Sequence, residues 1–95
     1  MIHEVLMTGA DNPTTGKELA EMFSCSIRDI TEQIQNERRQ GHPICSKCDG
    51  RNAGYYMAAD REELQDYCKR LHKRAGEIHK TRRHLLKAME TMPEA

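Results

Sequence analysis

Residues 14–34 read Thr14-Thr15-Gly16-Lys17-Glu18-Leu19-Ala20-Glu21-Met22-Phe23-Ser24-Cys25-Ser26-Ile27-Arg28-Asp29-Ile30-Thr31-Glu32-Gln33-Ile34. Two helices joined by a tight turn are expected there. Thr15 and Glu18 have capping-box spacing, in which each side chain satisfies an otherwise unpaired backbone N–H of the first turn. Leu19, Ala20 and Phe23 then fall on one helical face. After the polar break at Ser24-Cys25, Ser26 is the next N-cap candidate, and Asp29 places a carboxylate at the positive end of the second helix. Ile30 and Ile34 give that helix one apolar stripe. It ends near Gln40, with Gly41 where a left-handed C-cap favours glycine.

On either side of this pair, breakers divide the chain. Met1 to Thr8 reads as a short first helix with Ile2, Val5 and Leu6 on one side, too short to persist without packing partners. Gly9 to Pro13 is a loop by its breaker content. His42 to Lys47 is a strand candidate, Asp49-Gly50 a hairpin turn signal, and Gly54 to Met57 the returning strand. The predicted order is helix, helix, helix, hairpin.

Asp60 and Glu63 repeat the capping spacing and open a helix that meets no proline before Pro93. Gly76 is its one weak point. Leu64, Cys68, Leu71, Ala75, Ile78, Leu85 and Met89 recur at steps of four and three, with Arg82 interrupting the series. At 1.5 Å per residue such a helix is roughly 45 Å long. A small body cannot bury a stripe of that length, so the seam is expected to pair with a second copy. The bland alternative is that its first turns pack on the preceding elements and the rest is a solvated extension.

The 95 residues suit one domain with an appendage, and a chain that is 37% hydrophobic with four aromatics (Phe23, Tyr55, Tyr56, Tyr67) can build only a small core. No apolar run has the length of a membrane span, and no secretory signal is visible, so a cytoplasmic protein with reduced cysteines is expected. Net charge is zero, but it is unevenly placed. Residues 1–25 hold four acids and one base; residues 69–87 hold eight bases and one acid, Glu77. Such a tract attracts phosphate or forms a solvated helix face.

From Gly16-Lys17-Glu18-Leu19-Ala20 through Ser26-Ile27-Arg28, Ile34, Arg38 and Gly41-His42-Pro43-Ile44 to Gly54-Tyr55-Tyr56-Met57, the chain resembles the winged helix-turn-helix domain of the biotin operon repressor type, found in small bacterial and phage regulators. The resemblance covers residues 2–58. It implies that the helix over 26–40 enters the major groove and that the hairpin over 43–57 is a wing on the backbone or minor groove. By position, Arg28, Asp29, Thr31, Glu32 and Gln35 would face bases, Lys17 and Ser26 would lie near phosphates, and Lys47, Arg51 and Asn52 would form the wing tip. Glu37 stands where the family has a buried leucine, which predicts a looser or differently turned helix end. Asp29 and Glu32 make the reading face less basic than in many relatives.

No nucleophile elbow, phosphate loop or HExxH occurs, so an enzyme is not expected. Cys45-Ser46-Lys47-Cys48 is a CxxC, but no second pair follows at finger spacing. Cys25, Cys68, His42 and His72 are the remaining metal-ligand candidates, and Cys25 and Cys68 equally suit places for a small buried residue. No metal, cofactor or small-molecule substrate is expected.

The expected architecture is mainly α with a small β-hairpin: a winged helix-turn-helix over residues 1–58 and a long dimerising helix over 60–92. The expected function is sequence-specific binding of double-stranded DNA by a homodimer, in transcriptional regulation. The competing reading is a protein-interaction adaptor in a phage or plasmid replication or packaging assembly.

Overall fold

A computed structural model describes residues 1–48 and 53–93. A 3-10 turn, Ile2–Glu4, precedes helix α1 (Gly16–Phe23), helix α2 (Ile27–Arg39), strands β1 (Ile44–Lys47) and β2 (Gly54–Met57), and helix α3 (Arg61–Met89). The protein is mainly helical with one two-stranded antiparallel hairpin. Among the described residues, no helix is long and apolar enough to cross a membrane. The chain divides into two compact units, residues 1–65 and 66–95.

In the first unit both expected caps form. The Thr15 hydroxyl accepts from the Glu18 N–H at 3.0 Å, and the Ser26 hydroxyl accepts from the Asp29 N–H at 3.0 Å. Each third residue returns the bond through its carboxylate, closing a capping box at both helix starts. Between them Ser24 takes the left-handed conformation at φ 53°, which turns the chain sharply from α1 into α2. Gly41, at φ +100°, ends α2 as expected.

The amino-terminal segment differs from the expected helix. Only Ile2–Glu4 is helical, as a single 3-10 turn. Ile2 and Leu6 enter the core, whereas Val5 is exposed. Backbone pairing explains the change. The Gly9 N–H donates to the Met57 carbonyl (2.8 Å), the Met57 N–H donates to the Met7 carbonyl (2.9 Å), and Thr14 and Tyr55 exchange two bonds at 2.8 and 2.9 Å. Residues 7–14 thus run along the free edge of β2, and these bonds outweigh the local preference for a helix.

Ile44 pairs with Met57, Cys45 with Tyr56, Ser46 with Tyr55 and Lys47 with Gly54. Alternation along the strands directs Ile44, Tyr55 and Met57 to the core of Ile2, Leu6, Leu19, Ile30 and Ile34, and buries Cys45 and Tyr56 on the other face. Gly54 has φ +147°, and a Cβ built there would lie 2.6 Å from the Thr14 carbonyl oxygen. Close backbone approach therefore requires glycine. The Asp49-Gly50 turn lies outside the described residues. Phe23, expected beside Leu19, is instead exposed at the end of α1.

Helix α3 begins as its capping spacing predicts: the Asp60 carboxylate accepts from the Glu63 N–H at 2.8 Å, and Glu63 accepts from the Ala59 N–H. It ends at Met89, short of the expected 92. Leu64 is half-buried, Tyr67 is buried, and the Arg70 guanidinium sits 5.4 Å from the Tyr67 ring centre. Cys68, on the seam, is exposed in the single chain.

Candidate nucleic-acid interface

Helix α2 has two sharply different faces. Ile30, Ile34 and Glu37 are buried, while Arg28, Glu32, Gln35 and Arg39 follow one another at steps of four, three and four on the exposed side. Thr31, Glu32, Gln35, Asn36 and Arg39 line an open groove along this side. Forked and amide side chains at that spacing can reach along several base pairs at a groove floor.

The residues expected to face bases are not equivalent. Arg28 is 88% exposed and its Nε lies 3.5 Å from Glu32 Oε1. Such an exposed pair holds its partners weakly, so both side chains remain able to turn to another ligand. Asp29 is occupied: its carboxylate accepts from the Ser26 N–H at 3.3 Å. The Thr31 hydroxyl donates to the Ile27 carbonyl at 3.1 Å, and Gln35 is exposed in the groove. Of the residues expected near phosphate, Lys17 is exposed on α1 and Ser26 caps α2. Lys47 is half-buried at the end of β1, whereas Arg51 and Asn52 lie outside the described residues. Asn36 and Arg39 line the same groove, and continuing the 28, 32, 35 series by one step reaches Arg39.

Below this face, Glu37 holds α2 in place. Its carboxylate is fully buried and accepts from the Ile2 N–H (3.0 Å), the His3 N–H (2.8 Å) and the Gln33 amide (2.9 Å), with His3 Nδ1 on the same oxygen as the His3 N–H. The His3 ring stacks on His42, with ring centres 3.6 Å apart. Burial pushes the Glu37 carboxyl up, but the combined hydrogen bonds from His3, Gln33 and Ile2 outweigh it and hold the pKa at about 2, below the usual 4.5. The expectation of a looser helix end is corrected: Glu37 fastens the amino-terminal turn to α2. Beside it, Arg38 Nε donates to the Ile44 carbonyl at 2.9 Å and ties α2 to β1.

The cysteines are dispersed. Cys45 is buried, Cys25 packs half-buried on the core, and Cys48 is exposed. Among the described residues, no three His, Cys, Asp or Glu side chains form a metal-holding group. Comparison with known protein families, curated proteins and solved structures finds no match to this chain.

Proposed function

We propose that residues 1–58 act as a winged helix-turn-helix that binds double-stranded DNA, with α2 as the recognition helix and the β1–β2 hairpin as the wing. The chain then serves as a small sequence-specific transcriptional regulator that works as a homodimer. One observation carries this reading: α2 is capped and fastened from below, while its opposite face presents Arg28, Glu32, Gln35 and Arg39 as a single exposed polar row. A rigid helix with a polar outward row is what direct readout in a major groove requires.

Fluorescence anisotropy on genomic-fragment duplexes, across a salt series, tests it. Wild-type protein is expected to prefer one fragment and to lose affinity steeply as salt rises, because released counterions drive phosphate contact. Arg28→Ala and Arg39→Ala are each expected to lose fragment preference, corresponding to about 1–3 kcal/mol of discrimination for a lost bidentate base contact.

A second reading has its own observation. Met22, Phe23 and Ile27 are exposed around the α1–α2 turn, and Met1, Phe23 and Ile30 line a groove of about 380 Å³ beside it. Such a surface suits an adaptor in a larger assembly. Indifference to every duplex at low salt would favour it.

A further inference from the structure

Beyond residue 65, α3 keeps its seam, and that seam is open. Ile78, Leu85 and Met89 are 62%, 65% and 64% exposed, and together with Arg82 they line one groove along the helix. Of the eight bases between 69 and 87, six lie away from it, while Arg82 stands in the seam and Arg74 on its flank. At 3.6 residues per turn, Lys69, Lys73, Lys80, Arg83 and Lys87 fall on the opposite side. The seam is flanked by His72, His79 and Leu86 on one edge and by Arg74, Thr81 and Ala88 on the other. These flanks carry one arginine and no acid. An acidic partner helix would find almost nothing to pair with, whereas a second copy meets almost no like charge. The pattern selects a copy of this chain.

We propose that the open face of α3 is covered by the same face of a second copy running antiparallel. The proposal rests on the dimeric form of the DNA-binding reading and gives that dimer its orientation. Arg82 decides the direction. A parallel pair in register sets Arg82 against the partner's Arg82 within one layer of the seam, where lowered dielectric strengthens their repulsion. The antiparallel pair sets each Arg82 across from the partner's Ile78, so its stem packs while its head reaches water. The same register places Ala75 opposite the partner's Leu85 and Leu71 opposite the partner's Met89. Small then meets large, whereas parallel pairing faces Ala75 with Ala75 and leaves that layer thin.

Sedimentation velocity of the full chain is expected to give a dimer that Leu85→Asp converts to monomer. Orientation is read by disulfide mapping in a Cys48→Ser, Cys68→Ser, Ala75→Cys, Leu85→Cys variant, whose mild oxidation is expected to link position 75 of one chain to position 85 of the other. Links of 75 to 75 and 85 to 85, or a dimer with no interchain link, overturn the orientation. Cys48→Ser alone provides a second check that does not depend on folding of the quadruple variant. It retains Cys68, which a parallel pair brings against the partner's Cys68, so a 68-to-68 link also overturns the proposal. A monomer at every concentration overturns the pairing outright. Duplex binding on the same preparation reports separately on the DNA reading, since a monomer that binds DNA through Arg39 fails the pairing alone.

Discussion

Glu37 is the residue on which the amino-terminal unit turns. A buried carboxylate is tolerated here because backbone amides, an imidazole and a side-chain amide all point at it. Glu37→Leu is therefore expected to destabilise the fold by about 2 kcal/mol, because the buried Ile2 N–H and the part-buried His3 N–H lose their acceptor. Urea denaturation monitored by circular dichroism measures this. The same carboxylate sets an acid limit. Its folded pKa, about 2, lies below the usual 4.5, so its stabilisation is fully present above pH 4.5 and is lost as pH falls from 4.5 toward 2. Glu37→Gln is expected to flatten that part of the stability–pH curve. Gly54 is the other position where one atom matters: Gly54→Ala would drive a methyl into the Thr14 carbonyl and is expected to lower stability by more than about 1 kcal/mol in a thermal melt.

Element by element, local chemistry was legible wherever it was self-contained. The caps at Thr15, Ser26 and Asp60, the glycine stop at Gly41 and the Gly54–Met57 strand follow from short-range spacing alone, and the structure contains each of them; the strand expected over His42–Lys47 forms over Ile44–Lys47. Long-range bonds were not legible. Residues 7–14 look like helix and loop in isolation, and only the free edge of β2 draws them into backbone pairing. Glu37 looked like a departure because its partners lie 34 and 35 residues away. On the candidate interface, the sequence located the outward side of α2 but stopped at Gln35, and it offered Asp29 to bases although its carboxylate returns to the Ser26 backbone. Ser26→Ala is expected to remove about 1 kcal/mol through the lost cap, measured by the same denaturation. In α3, Gly76 has open space around it, so Gly76→Ala is expected to stabilise the helix by up to about 1 kcal/mol and to raise its helical signal on heating.

At the scale of the whole molecule, we propose that two surfaces divide the work: the outward row of α2 for duplex DNA and the open seam of α3 for a second copy. Under that proposal, dimeric binding would multiply weak half-site contacts, which suits a helix whose Arg28 and Arg39 are accompanied by Glu32. The claim that α2 reads sequence is tested most directly by selecting bound duplexes from a random pool with wild-type protein and with Arg39→Ala. The wild type is expected to enrich one motif, and Arg39→Ala to lose or change bases within it. Failure of the wild type to enrich any sequence, or enrichment of the same motif at equal strength by Arg39→Ala and Arg28→Ala, would contradict it.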